Sequence, residues 1–148
     1  MLQRCLEYLD RSGFRYTHLT NPPQKLAKAI VLVADETYGI AVVPAAGYVN
    51  LDEVKAILGA EKVRLASETE LSVRFPECEL GAMPPFGELF GLMVYVDCGL
   101  TFEDQIAFYA GTRGDVIQMM FEDFRELVRP VIADLRRWGT PDCEPAIR

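Results

Sequence analysis

Histidine is almost missing from this chain: His18 is the only one in 148 residues. A catalytic serine–histidine or cysteine–histidine pair and an imidazole-based zinc site would all have to share that one side chain. Cys5, Cys78, Cys98 and Cys143 are scattered, with no CxxC pair among them. They read as reduced packing thiols rather than metal ligands. Long apolar runs are also lacking. The longest, Ala29 to Ala34 and Gly39 to Ala46, fall far short of the ~20 residues that span a membrane. The N-terminal MLQRCLEYLDRSG carries charges where a secretion signal needs an apolar stretch, so a cytoplasmic protein without a membrane partner is expected. A basic excess is absent too: 15 Lys and Arg stand against 22 Asp and Glu, a net charge of −7. That balance argues against wrapping a long duplex. It leaves room for a local patch holding one nucleic-acid end, because fields are screened over ~8 Å. No repeat, linker or low-complexity tract divides residues 1–148, and the length matches one domain of about 150 residues.

What is present reads as alternating short elements. Leu2 to Leu9 puts Leu2, Leu6 and Leu9 on one helical face, with Gly13 as the stop. Phe14 to His18 reads as a short strand, and Asn21-Pro22-Pro23 breaks regular structure. Ile30 to Ala34 and Gly39 to Val43 predict a hairpin with the four-residue loop Asp35 to Tyr38. Asn50 caps a helix that Gly59 ends, with Glu53 placed to reach back to the first free amide. Lys62 to Ala66 reads as a strand, and Ser67-Glu68-Thr69-Glu70 is a capping box for a short helix ending near Phe75-Pro76. Leu92 to Val96, Gln105 to Ala110 and Val116 to Met120 are further strands. Phe121, Phe124, Leu127, Val128, Val131, Ile132 and Leu135 form the apolar stripe of a closing helix over 121–138, which Pro130 kinks or restarts. A frayed tail follows from about residue 139. Phe102, Phe108, Tyr109, Phe121 and Phe124 read as core. The pattern implies an α/β (α+β) fold: a mixed, barrel-like sheet with helices packed outside.

The candidates for chemistry each carry an ordinary structural alternative. Gly81-Ala82-Met83-Pro84-Pro85-Phe86-Gly87 is a stiff loop able to present fixed backbone dipoles without an ordering cost on binding, or simply a turn. Lys28 stands immediately before an apolar run. It either points into a cleft, where it binds a phosphate or polarises a carbonyl, or is a solvated strand-end lysine. Asp97 closes a strand as a site residue or as the cap of the next turn. Gly111 and Thr112 lie in Ala110-Gly111-Thr112-Arg113-Gly114, which joins two strands as a hairpin loop. His18 is an acid or base, or a structural histidine.

Taken in order, several of these segments resemble one family. They are Leu26-Ala27-Lys28-Ala29-Ile30-Val31, Val42-Val43-Pro44-Ala45, Val63-Arg64-Leu65-Ala66, the Gly81 to Gly87 loop, Val94-Tyr95-Val96-Asp97 and Ala110-Gly111-Thr112. The family is that of the YbaK or ProX-like aminoacyl-tRNA deacylases, relatives of the editing domain inserted in bacterial prolyl-tRNA synthetases. The resemblance runs from about Leu26 to Leu135, and its most specific marks are the lysine opening the strand and the GxxxP pattern of Gly81 to Pro85. It implies hydrolysis, without metal or cofactor, of the ester joining a wrong small amino acid, such as alanine or cysteine, to a tRNA, in the first place tRNA-Pro. In that reading Lys28 holds the terminal adenosine or its phosphate and orients the ester. Gly81, Ala82, Met83, Pro84 and Pro85 bind the aminoacyl group, and Asp97, Gly111, Thr112 and His18 complete the substrate-binding set. The partners are then the mischarged acceptor end and, further, a synthetase. One departure stands out: between the first strand and Lys28, relatives carry a short helix with a Thr-Ala-x-Glu-like pattern, where this chain has only Leu19 to Lys25. Its loss implies a more open pocket with weaker side-chain selection, or a module that binds a tRNA end or nucleotide without efficient turnover; an adaptor acting on a synthetase is a third, separate reading. Arg11, Arg15, Lys25, Lys28 and Arg113 would supply a basic patch if the fold gathers them.

Overall fold

In the computed structural model, residues 1–136 are described; the closing residues Trp138 and Cys143 and the expected frayed tail lie outside them. Four α-helices and eight strands follow one another: α1 Leu2–Ser12, β1 Tyr16–Leu19, β2 Ala27–Ala34, β3 Thr37–Pro44, α2 Leu51–Leu58, β4 Val63–Leu65, α3 Glu68–Arg74, β5 Met93–Asp97, β6 Gln105–Tyr109, β7 Val116–Met120, α4 Phe121–Val128 and β8 Val131–Ala133. The mixed α+β class is as expected. Closure into a barrel is not: the described strands form two sheets, an antiparallel β1-β7-β6 and a mixed β4-β2-β3-β5-β8.

Local chemistry explains the helix ends. Gly13 and Gly59 stop α1 and α2 in the left-handed conformation that only glycine adopts cheaply. Asn50 accepts from the amides of Asp52 and Glu53. Its own amide donates to Leu135 O, so the return bond expected from Glu53 is replaced by a tertiary one. Ser67 and Glu70 form both halves of their capping box.

The β2–β3 hairpin is tighter than the sequence suggests. Ala34 pairs with Thr37, leaving a two-residue loop in which Asp35 and Glu36 both have positive φ, 46° and 71°. That is the twist-matched hairpin turn, reached here without the usual glycine. The Asp35 carboxylate accepts from the amides of Glu61 and Lys62, which holds the strained turn against the strand that follows α2.

The largest correction concerns the closing helix. α4 ends at Val128, Arg129 turns left-handed at φ 53°, and Pro130 supplies no donor to continue the ladder. Val131–Ala133 instead pairs in parallel with Tyr95–Asp97, so the apolar residues at 131 and 132 belong to a strand. Phe102 also departs from expectation: it is 57% exposed, while Leu100 in the same 3-10 turn is buried. With about three residues per turn, positions two apart face different ways. Cys98 is disulfide-bonded rather than a reduced packing thiol, whereas Cys5 and Cys78 are free. Among the described residues, no helix is long and apolar enough to cross a membrane.

Two cores flank the mixed sheet. The inner one joins Ala27, Val31, Ile40, Val42, Val94 and Val96 to α1, α4 and an aromatic cluster centred on Phe86. Phe86 meets Tyr8 at 5.1 Å and Phe108 at 5.2 Å between ring centroids. The outer core packs Leu32, Ala41 and Val43 beneath Val54 of α2. Gly87 follows Phe86 where a Cβ would collide with Leu92 O and Val94, which fixes the exit of the Gly81 loop against β5.

Glu70 ties α3 to the hairpin. It accepts from both terminal nitrogens of Arg64, from Ser67 N and from the Tyr38 hydroxyl. These bonds, the Arg64 pair first, hold its carboxyl far below the usual range. A depressed carboxylate contributes stability above its unfolded value, near 4.5, and loses it as pH falls toward the folded one. The stability gap between wild type and Glu70→Gln should therefore be constant from about pH 7 to pH 5 and narrow in stronger acid. Urea unfolding at a series of pH values measures it; a gap unchanged down to about pH 3 would refute the assignment.

Candidate active site

Period-two alternation on β2 is the starting point. Ala27, Ala29 and Val31 face the inner core, and Lys28, Ile30 and Leu32 face outward, as their cross-strand partners Val42, Ile40 and Val43 confirm. Over the inner face beside Ala29 and Val31 lies a cavity of about 180 Å³. Its other walls are Leu65 at the end of β4 and Ala66 after it, Leu71 of α3 and Phe75 at that helix's end, and the run Cys78 to Gly81 with Met83. The walls are apolar apart from Cys78 and Glu79. Burial pushes the Cys78 thiol up to about 11, so at neutral pH it is a protonated thiol and not a nucleophile.

The Gly81 loop is braced from the β6–β7 connection. Glu79 N donates to Gly111 O, Gly111 N donates to Ala82 O, and Ala82 N donates to Glu79 O. Arg113 adds its own amide to the Glu79 carboxylate at 2.7 Å and its guanidinium to Leu80 O. Gly81 has φ 81°, so the backbone calls for glycine; a Cβ there would also push the Arg113 guanidinium aside. Gly81 and Met83 face the cavity, and neither gives its amide to a backbone carbonyl among the described residues. Ala82, Pro84 and Pro85 are buried behind them.

The remaining sequence candidates are placed elsewhere. Lys28 does not line the cavity. It sits opposite Val43 within β2, and its ammonium lies 5.1 Å from the ring centroid of Tyr48 on the outer face. Asp97 is fully buried and structural in its bonding, accepting from Gly99 N, Leu135 N and Arg136 Nε. His18 contacts Asp115 at 2.8 Å, and Thr112 donates to the other carboxylate oxygen at 2.6 Å. The Thr112 bond first, then His18, holds Asp115 below the usual carboxylate range. This trio fastens β1 to the β6–β7 loop. The basic residues are not gathered: Arg11 and Lys25 line two other clefts, neither of which includes Lys28 or Arg113, and Lys25 is paired with Glu103. The shortened segment before β2 borders one of those clefts, a wider one of about 510 Å³ lined by Gln24, Lys25, Leu26 and Ala27. Asp97, Cys98 and Asp134 bring potential ligand atoms within 4.8 Å of one another. The Cys98 sulfur is in a disulfide and both Asp97 oxygens already accept hydrogen bonds, so this set does not fit a cation.

The family model of the aminoacyl-tRNA editing domain matches residues 16–127. The chain belongs to that family. The match takes in the antiparallel sheet, the mixed sheet apart from β8, the cavity and the Gly81 loop of this editing domain. A search of curated proteins finds no match. Among solved structures, a candidate trans-editing enzyme for prolyl-tRNA synthetase superposes with TM-score 0.77 at 18% identity, covering 92% of this chain and 96% of the other. A scaffold protein used for grafting linear epitopes gives 0.79 at 17% identity, with the same coverage. A candidate signal transduction protein from Marinobacter aquaeolei VT8 gives 0.74 at 18%, matching 88% of this chain but 30% of that one. At these identities the likeness is one of fold.

Several walls of the cavity escaped sequence reading: Ala29, Val31, Leu71, Phe75, Cys78, Glu79 and Leu80. Two signals pointed to four of them. Leu71 and Phe75 are four apart and share a face of the capped helix, and Ala29 and Val31 share a strand face.

Proposed function

We propose that this editing domain hydrolyses the ester of a mischarged aminoacyl-tRNA carrying a small amino acid such as alanine or cysteine, on tRNA-Pro in the first place. The observation that carries the reading is the apolar cavity of about 180 Å³ walled on one side by the braced Gly81 loop, in a chain whose family is that of aminoacyl-tRNA editing. Water adds to the ester carbonyl, the bond to the ribose oxygen breaks, and free amino acid and tRNA with its terminal hydroxyl leave. An aminoacyl ester is already activated, so positioning and charge stabilisation supply much of what hydrolysis needs. The Gly81 and Met83 amides, which donate to no backbone carbonyl among the described residues, are the donors this reading assigns to the developing oxyanion, and the cavity receives the side chain. The reaction belongs to the cytoplasm, beside a synthetase that makes the error.

Lys28 takes the phosphate or terminal adenosine of the acceptor end in this reading. Its contact with Tyr48, a ring 83% exposed, is the weak kind of cation–π pair, ~0.5–1 kcal/mol. A phosphate offers a charge-assisted bond of ~1.5–3 kcal/mol, enough to draw the ammonium away. Lys28→Ala should lower kcat/KM for alanyl-tRNA by roughly 10–100-fold while leaving the thermal unfolding curve little changed. Undiminished turnover by the folded variant would remove the lysine from the mechanism.

The outward placement of Lys28 favours a second reading, a module that binds a tRNA end without turnover. Saturable binding of mischarged tRNA with hydrolysis at the background rate would select it.

A further inference from the structure

Glu79 is the one charged residue among those lining the cavity and is exposed to solvent, and three features set it apart from an ordinary surface carboxylate. Its main chain is fixed at both ends: its amide donates to Gly111 O and its carbonyl accepts from Ala82 N. Its carboxylate is aimed, because Oε1 accepts the Arg113 amide at 2.7 Å. Its charge is not cancelled, because the Arg113 guanidinium goes to Leu80 O instead, and no salt bridge to Glu79 occurs among the described residues. An oriented anion at the edge of a small apolar cavity fits a ligand with a short apolar group next to a cation. An α-amino acid ester is such a ligand, its ammonium one carbon from its side chain.

We infer that Glu79 binds the α-ammonium of the aminoacyl ester, so that the site accepts amino acids with a free amino group and rejects esters whose nitrogen is acylated, as in peptidyl-tRNA. The inference rests on the proposed editing reaction and adds a rule to it: size is read by the cavity, and the free amine by Glu79. Acylation removes the positive charge and adds bulk next to a carboxylate that Arg113 holds in place. Because the ammonium is present in both the ground state and the transition state, the carboxylate acts on binding and appears in KM more than in kcat.

The test compares wild type and Glu79→Gln on alanyl-tRNA and N-acetyl-alanyl-tRNA; glutamine keeps an oxygen for the Arg113 amide. Wild type should prefer the free amine by roughly 10-fold or more in kcat/KM, and Glu79→Gln should lose most of that preference through a raised KM. Equal use of both esters by wild type, or a Glu79→Gln defect confined to kcat, would overturn the inference. Binding is measured separately with adenosine carrying alanine on a 3′-amide, which cannot be hydrolysed as an ester. Wild type should bind the free-amine form more tightly than its N-acetyl form, and Glu79→Gln should bind the two alike. If neither ester is turned over but the amide is bound with that preference, the editing reaction fails and the Glu79 subsite stands. If turnover occurs without the preference, the reverse holds.

Discussion

Replacing Asp97 with alanine is expected to cost about 3–5 kcal/mol of folding stability, the range for breaking a buried charged pair. Asp97 is the only buried polar or charged side chain among the described residues. It ends β5 and gathers three donors from two segments: Gly99 N in the turn that follows, and Leu135 N and Arg136 Nε beyond β8. Without the carboxylate, two backbone amides and a guanidinium lose their acceptor in a place that water cannot readily reach. Leu135 is also the residue whose carbonyl receives Asn50 N at the start of α2, so the loss spreads from the sheet edge to the helix over the outer core. Thermal unfolding should show a melting temperature lower by about 6–20 °C, at ~2–4 °C per kcal/mol for a chain of this size. Asp97→Asn should fall between, since the amide keeps one acceptor but points a donor at a donor. A melting temperature within about 2 °C of wild type for the alanine variant would show that the knot carries little.

Filling the cavity should have the largest effect on activity. Ala29 stands on the inner face of β2 and forms part of the cavity floor, and Ala29→Phe would place a ring where the proposed reading puts the substrate side chain. One methylene in a hydrophobic pocket already changes discrimination by ~10–200-fold. Removing the space altogether should lower kcat/KM for alanyl-tRNA by at least roughly 100-fold. The fold should survive, because the ring enters empty volume rather than packed core, at a cost of about 1–2 kcal/mol. Steady-state deacylation beside a melting curve separates the two effects. A folded Ala29→Phe protein with near-normal turnover would move the reaction out of this cavity.

Local signals carried much of the fold. Gly13 and Gly59 end helices, Ser67 and Glu70 cap one, β6 and β7 pair as expected, and the order of motifs identified the editing family before the structure did. The misses share a cause, which is pairing that depends on distant residues. Val131 and Ile132 fit a helical stripe, and only β5, 36 residues earlier by its register with Tyr95 and Val96, makes them a strand. Asp35-Glu36 carries no glycine, so its tight turn is legible only once Glu61 and Lys62 are brought beside it. Lys28 is the instructive case. Placed just before a strand, it reads as a residue at the mouth of a cleft; paired with Val43 inside the strand, it turns to the opposite face from Ala29. In a period-two structure a shift of one residue decides which side of the sheet a side chain serves. The cavity itself combines β2, β4, α3 and the Gly81 loop, so only the loop was visible from sequence.

The central claim is that a cavity of about 180 Å³ sorts aminoacyl esters by side-chain size and allows the small ones to be hydrolysed. Its most direct test is the rate of deacylation for alanyl, cysteinyl, leucyl and phenylalanyl esters carried on the same tRNA. Alanyl and cysteinyl esters should be cleaved well above background, with leucyl and phenylalanyl esters slower by roughly 10-fold or more, their side chains taking up the space in which the small esters align. Rates independent of side-chain size, or faster cleavage of the large esters, would contradict it.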